Sequence, residues 1–365
     1  MSYKDNAIFS YFIYKAAFIT SLCLSIFVLW RYYVICLVVF LAFKAITTLL
    51  DRFIYGYIDP QKRAVFITGC DTGLGNRCAR HLDSYGYIVF AGCLNKNSSG
   101  AQSLKTDCSS RLRIVEVNAT KQKSIEDALS YIEKHLPNKG LWGVVNNAGM
   151  DMLGDVELTP VSLYEKCFEL NLYGYIRVMK IFLPLIRQSK GRVINMSSVR
   201  GRVYEPCQGN YETAKHGIET LSDSLRLEMV KFGVKVIIIE PGDFSNATAI
   251  GSEPQIRRNQ LEVDEIWESA RSEVKQSYTK KGIDSWIQPP KGGWPPKADS
   301  TAVAKAVAHA LSSEIPKHRY LVQGKWAKVP FDSWFLTYAH NWLPTFIVDK
   351  YMSYWKKDLV YPSTR

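Results

Sequence analysis

The chain has 365 residues, 46 Lys and Arg against 34 Asp and Glu for a net charge of +12, and 47% hydrophobic residues. That apolar content excludes a disordered polymer, and the length accommodates one large α/β domain with extensions or two small domains. The cations are scattered, with no dense basic run inside a nucleic-acid motif, so the positive balance points to anionic lipid head groups and away from nucleic acid.

The first fifty positions are dominated by apolar residues, at 8–14, at 16–30 after Lys15, and at 32–43 after Arg31. A spanning helix needs about 20 of them. A single span over 16–43 would put Arg31 near mid-bilayer at a cost of about 2.5–3.5 kcal/mol, so two close membrane segments turning near Arg31 are favoured. A buried soluble hairpin is the alternative. The apolar region is too long for a cleaved signal peptide and lacks a small-residue cleavage site.

A charged linker over 51–63 leads to an alternation of β and helical signals. Val65–Ile67 reads as a buried strand, followed by the turn Thr68-Gly-Cys-Asp-Thr-Gly-Leu-Gly75 and a helix to about Tyr85. Glycines at 69, 73 and 75 allow a tight turn and close approach of a pyrophosphate, with free amides of the new helix facing the anion. Strands follow at Ile88–Gly92, Leu112–Val117, Trp142–Asn146, Val193–Met196 and Val234–Glu240. Helices are expected near Ser124–His135, over Ser162–Gln188 despite Pro184, and from Tyr211 to Phe232. Apolar strands alternating with amphipathic helices predict a doubly wound parallel sheet covered on both faces.

After Pro241-Gly242 the rhythm stops. Residues 244–300 form an insertion of lid type, with a polar helix near Gln260–Tyr278 and a Pro/Gly-rich loop at Pro289–Pro296. A helix over Thr301–Leu311 and a strand at Tyr320–Val322 close the domain. The tail carries Trp334, Phe335, Trp342, Phe346, Ile347 and Trp355 with Lys350, Lys356 and Lys357 nearby. This suits an interfacial helix or a cover over the substrate pocket. The expected domains are thus 1–50, the linker, 64–325 and the extension 326–365.

Eight cysteines, at 23, 36, 70, 78, 93, 108, 167 and 207, show no C-x-x-C and no paired His, so free thiols in a reducing compartment and no metal are expected. The glycosylation sequons at Asn97, Asn118, Asn195 and Asn246 are read as chance matches, because Asn195 lies in a core strand.

The chemistry centres on Tyr211-Glu-Thr-Ala-Lys215. Residues i and i+4 share a helix face, placing a phenol beside an ammonium that is expected to lower its pKa. Such a group donates and accepts protons near neutral pH. Ser198 lies just past a strand end, where ligands of parallel sheets gather. Asn146-Asn-Ala-Gly149 follows another strand, and Asn171 sits in the long helix.

In this order, the Gly-rich turn, Asn146-Asn-Ala-Gly, Asn171, Ser198, Tyr-x-x-x-Lys and Pro241-Gly242 resemble the short-chain dehydrogenase/reductase family over about 64–325. Val89-Phe-Ala-Gly-Cys-Leu, Leu141-Trp-Gly-Val-Val-Asn-Asn-Ala-Gly and Phe182-Leu-Pro-Leu are similar to the branch of retinol dehydrogenases, 17β-hydroxysteroid dehydrogenase type 2 and mitochondrial 3-hydroxybutyrate dehydrogenase. The resemblance implies a Rossmann-type fold and hydride transfer between NAD, with NADP as the alternative, and an alcohol carbon. It implies that Tyr211 is the acid/base, that Ser198 holds the substrate oxygen, and that Lys215 meets the nicotinamide ribose. Asn171 would support a relay water, and Asn146 would buttress the sheet. Thr68, Gly69, Asp71, Gly73, Leu74, Gly75, Pro241 and Gly242 would line the dinucleotide.

Asn118 stands where the family has Asp near the adenine, its carbonyl an acceptor for the adenine amine. Asp71 would repel a 2′-phosphate and favour NAD, although Leu94-Asn95-Lys96 leaves no acid at the end of the second strand. Arg200 and Arg202 are candidates to meet an anionic substrate. The leading expectation is an enzyme acting on a lipophilic alcohol or ketone at a lipid membrane. Its place is the endoplasmic reticulum with a cytosol-facing domain, or alternatively a mitochondrial membrane, and it admits a homodimer. A hydroxy acid dehydrogenase and a catalytically idle membrane scaffold are the competing readings.

Overall fold

The computed structural model describes residues 20–21, 24–43, 45–46, 56–244, 247–248, 252–287, 299–323, 337 and 343–355. The chain divides into two units, Met1–Tyr57 and Ile58–Arg365. In the first, one helix runs unbroken over Leu24–Phe43, with a mean hydropathy of 2.3 and its side chains exposed. Twenty residues at 1.5 Å each give the roughly 30 Å of a bilayer core. The expected turn near Arg31 is absent from this helix. Instead the Arg31 guanidinium lies over the Phe27 ring, 6.0 Å from its centroid, one turn earlier on the same face. A long side chain of this kind reaches along its own helix, so the chain need not bend to accommodate the charge. Residues 1–19, which hold the earlier apolar segment and Lys15, lie outside the described residues.

The second unit is built on a seven-stranded sheet in the order β3-β2-β1-β4-β5-β6-β7. Its strands are β1 Ala64–Thr68, β2 Ile88–Cys93, β3 Leu112–Glu116, β4 Gly143–Asn146, β5 Arg192–Met196, β6 Lys235–Pro241 and β7 Arg319–Val322. Every neighbouring pair is parallel. β1 and β5 are buried at every position, as expected of a sheet covered on both faces.

One face packs Cys78, Ala79 and Leu82 of helix α1 (Gly73–Tyr85) with Val303, Ala304, Val307 and Leu311 of the helix Thr301–Ser312. The other packs Ile125, Ala128 and Ile132 of Gln122–His135 with Tyr175, Val178, Phe182 and Ile186 of Tyr175–Ser189. The sheet order reverses between β1 and β4, and there the strand ends open a crevice for a ligand.

Three elements differ from their sequence expectation. Helix α2, Ser99–Asp107, was not anticipated; it is short and polar, and Ser98 caps it by accepting from the Ala101 amide at 3.2 Å. The long helix over 162–188 is two helices, Val161–Phe168 and Tyr175–Ser189, joined through a π-turn at Glu169–Gly174. The lid helix spans Glu253–Ser269, earlier than expected, and gives way to short turns at Ser272–Lys275 and Lys280–Asp284. It packs Val263 and Ile266 with Met152, Leu163, Ile283, Trp286 and Ile287 in a third apolar core.

The Pro289–Pro296 loop lies outside the described residues, as do Trp334, Phe335, Trp342, Lys356, Lys357 and Asn246. In the tail, Thr345–Trp355 is helical, with Phe346 exposed and Val348 buried. The seven described cysteines are free, and Asn195 is fully buried, which excludes its sequon from use in the folded chain.

Candidate active site

The Gly-rich turn leaves β1 at the reversal point. Gly69 and Gly73 have φ of +71° and +62°, a region that favours glycine. A Cβ at Gly69 would stand 2.8 Å from the Ala148 Cα, and one at Gly75 would enter the Gly69 carbonyl and the Asn147 amide. The turn is pinned to the end of β4. The Thr68 hydroxyl accepts from the Asn147 and Ala148 amides, both at 3.0 Å, and Asn147 Nδ2 donates to the carbonyls of Thr68 and Gly69 at 2.8 and 3.2 Å. Sequence reasoning placed Thr68 on the ligand and overlooked Asn147; the structure makes the two a cross-strand clasp.

The amides of Gly73, Leu74 and Gly75 begin α1 and have no partners within it. Thr72 places no side-chain oxygen on them, and the first turn carries no acid. A turn of glycines ending in unmet amides fits a dinucleotide pyrophosphate.

Asp71 reaches from this turn to the end of β2. Its carboxylate accepts from the Leu94 amide at 2.8 Å, the Asn95 amide at 3.1 Å and the Ser98 hydroxyl at 3.3 Å. The acid missing from the end of β2 in the sequence is therefore supplied by the turn. Asn118 departs from expectation. Its Oδ1 accepts from the Thr120 amide at 2.9 Å and the Thr120 hydroxyl at 2.7 Å, a local turn that occupies the oxygen meant for an adenine amine.

On the other side of β1, Asn146 Nδ2 donates to Asn195 Oδ1 at 2.8 Å, and Asn195 Nδ2 donates to the Ser222 hydroxyl at 2.8 Å. This buried chain links β4, β5 and helix Gly209–Met229, the buttress that the sequence suggested. Gly242 donates to the Val322 carbonyl at 2.8 Å, fixing the end of β6 to β7, and the Pro241 carbonyl lies 3.5 Å from Ser198 Oγ.

Tyr211 and Lys215 lie in the first turns of Gly209–Met229, and Ser198 stands near enough to the Tyr211 phenol to lower its pKa. Lys215 is buried and donates to the Met196 carbonyl at 2.8 Å, which also accepts from the Tyr175 hydroxyl at 3.0 Å. Its ammonium stands 5.6 Å from the Tyr211 ring centroid.

Burial raises the Tyr211 pKa, as does Asp151, against smaller lowering by Ser198 and Arg200. The expected lowering by Lys215 is not found, because its ammonium is turned to a carbonyl and is itself pushed down to about 8 by burial. An oxidised nicotinamide, when bound, would supply a positive charge and the hydride acceptor.

Asn171 is fully buried in the π-turn. Its side chain accepts from the Met150 amide at 2.9 Å and donates to the Met150 carbonyl at 2.8 Å. It clamps the loop after β4. Asp151, which follows Met150, raises the Tyr211 pKa and was not singled out in the sequence, since nothing in its local pattern marks it. Its carbonyl accepts from Arg258 of the lid helix at 2.6 Å, and burial raises its carboxyl.

Both candidate anion-binding arginines are taken. Arg200 pairs with Glu205 and, at 3.8 Å, with Glu212, and Arg202 pairs with Glu240 at 3.1 Å.

The family described as short chain dehydrogenase matches residues 63–256. Mitochondrial D-beta-hydroxybutyrate dehydrogenase of Bos taurus is 43% identical over 72% of this chain and 78% of its own. Retinol dehydrogenase 7 of Mus musculus is 38% identical over 81% and 89%, and estradiol 17-beta-dehydrogenase 2 of Mus musculus 37% over 71% and 68%. Among solved structures, a short-chain dehydrogenase from Streptomyces avermitilis superposes with a TM-score of 0.57 at 21% identity, covering 81% of this chain and 96% of that one.

Proposed function

The chain belongs to the short-chain dehydrogenase/reductase family, and from that premise we propose a membrane-attached, NAD-preferring enzyme for a neutral lipophilic alcohol of the steroid or retinoid class. As a member it is a short-chain alcohol dehydrogenase, interconverting a hydroxyl and a carbonyl with NAD or NADP. In this reading Ser198 holds the substrate oxygen, Tyr211 takes or returns its proton, and Lys215 meets the cofactor ribose. Oxidation removes the hydroxyl proton to the Tyr211 oxygen while the hydride leaves the same carbon.

The observation that carries the substrate class is the ion pairing of Arg200 and Arg202 with Glu205, Glu212 and Glu240. A substrate carboxylate gains little from cations already neutralised, and Asp151 beside the phenol would repel it. The partly buried Met150, Leu153 and Trp267, packed on the lid core, offer apolar surface for a hydrocarbon skeleton. The Leu24–Phe43 helix favours attachment to the membrane in which such substrates dissolve, with the endoplasmic reticulum as the first assignment and mitochondria as the second.

The second reading, a hydroxy acid dehydrogenase, draws on the 43% identity to the bovine enzyme. Turnover of the full-length protein with NAD against estradiol, retinol and 3-hydroxybutyrate separates the two. Activity confined to 3-hydroxybutyrate would overturn the lipophilic reading. Complete release of the full chain by alkaline carbonate would overturn integral attachment.

A further inference from the structure

Ser198 leaves β5 into the short 3₁₀ turn Val199–Gly201, and Tyr211 arrives thirteen residues later at the start of a helix. The loop between them does not by itself fix the approach of their hydroxyls. Arg200 spans that gap. Its amide donates to Ser198 Oγ at 3.2 Å. Its guanidinium pairs with Glu205 in the loop and stands 3.8 Å from Glu212, the residue next to Tyr211. The Glu205 amide closes the circuit by donating to Glu212 Oε1 at 2.9 Å.

The two carboxylates are only 6% and 7% exposed, so each needs a partner inside the protein, and one cation serves both. Burial pushes the Glu212 carboxyl up to about 8, while Arg200 pulls it down.

We propose that Arg200 is a positioning residue for the reaction, bracing the turn that carries Ser198 against the helix that carries Tyr211 and so setting the approach of their hydroxyls. This rests on the assignment of Ser198 and Tyr211 given above. The Arg200 side chain braces the pair through Glu205 and Glu212, while its backbone amide holds Ser198 Oγ and its charge lowers the Tyr211 pKa to a lesser degree. A residue in this role changes the chemical step and leaves the Gly-rich turn and its dinucleotide contacts as they were.

The test uses full-length Arg200→Met, Arg200→Lys and Tyr211→Phe. It reads kcat and KM with estradiol, retinol and 3-hydroxybutyrate, the Kd for NADH by fluorescence, and the Ser198–Tyr211 hydroxyl separation in a crystal structure. Arg200→Met should lower kcat by about tenfold or more on each substrate the wild type accepts, as expected of a misplaced catalytic pair. The hydroxyls should stand farther apart than in the wild type, and NADH affinity should stay within about twofold, since phosphate and ribose contacts lie elsewhere. Arg200→Lys should recover most of the rate.

Unchanged kcat with the hydroxyl separation unaltered would overturn the inference, and so would a loss of NADH affinity that tracks the loss of rate. Should Arg200→Met leave its two buried acids unable to fold, the neutral triple variant Arg200→Met/Glu205→Gln/Glu212→Gln decides. Low kcat with intact NADH binding supports the brace, and wild-type kcat refutes it. Activity surviving in Tyr211→Phe would instead defeat the site assignment itself.

Discussion

Replacing Asp71 by Asn removes one negative charge from the Gly-rich turn at almost constant size. The carboxylate now serves the Leu94 and Asn95 amides with separate oxygens, at 2.8 and 3.1 Å. An Asn has one acceptor oxygen, so one amide loses its partner at a cost of about 1 kcal/mol or more. That cost falls on NAD and NADP alike and cancels in their ratio. The charge does not cancel.

At about 4–5 Å and an effective dielectric of 20, a carboxylate and one unit of 2′-phosphate charge repel by roughly 3–4 kcal/mol. The half-exposed position and salt reduce this, leaving a discrimination on the order of ten- to a hundredfold. The assay is kcat/KM for both dinucleotides, in wild type and Asp71→Asn, at matched ionic strength. The NAD/NADP ratio should fall by about one to two decades in the variant, and added salt should compress the difference. A ratio unmoved beyond about threefold would refute the electrostatic argument, since the charge term alone is far larger. A wild type that prefers NADP would transfer control to Lys96.

Tyr211→Phe should reduce turnover by at least about a hundredfold while NADH binding survives, because only the transferable proton is lost; a tenth of the wild-type rate would sink the assignment. Gly75→Ala forces a methyl into the Gly69 carbonyl and Asn147, so a loss of about 1–3 kcal/mol is expected in chemical denaturation, and an unchanged midpoint would contradict the packing. Glu219 titrates from 4.5 in the unfolded chain to about 7 in the fold, raised chiefly by burial. The folded state then binds more protons between those values, so stability is greatest below about 4.5 and falls as pH rises to about 7, by on the order of 3 kcal/mol from this group. Glu219→Gln should flatten that stretch of the Tm profile; an unaltered slope would show that Arg319 keeps the carboxylate ionised.

The sheet and its crevice were legible because buried parallel strands and a glycine turn are written in consecutive residues. Motif order singled out Tyr211, Ser198, Lys215 and Asn146, and the fold puts Tyr211 and Lys215 at the start of one helix and Ser198 just past the end of β5. What escaped was set by contacts distant in sequence. Asn147 is unremarkable until it meets Thr68 across 79 positions. The phenol–ammonium spacing promised a lowered Tyr211 pKa, but the Met196 carbonyl, nineteen positions away from Lys215, claims the ammonium. Arg200 and Arg202 looked available as local loop cations, and only folding revealed their carboxylate partners. Helix α2 was missed for a different reason: its single serine cap matters more than its weak apolar pattern.

The π-turn at Glu169–Gly174 has a consequence for chain length. Before it, Leu163 and Cys167 belong to the lid-side core; after it, Tyr175, Val178 and Phe182 belong to the sheet-side core. An ordinary helix repeats its facing every 3.6 residues and would carry one stripe along its whole length. The extra residue of the wide turn offsets the two stripes by about a hundred degrees, letting one rod address two neighbours. The segment is therefore intolerant of any change in residue count, while tolerant of many changes in residue kind. Deleting one residue there would swing the lid-side stripe out of register and leave the sheet-side stripe seated. Alcohol binding would then fail with dinucleotide binding preserved, and separate titrations of the two ligands read that contrast directly.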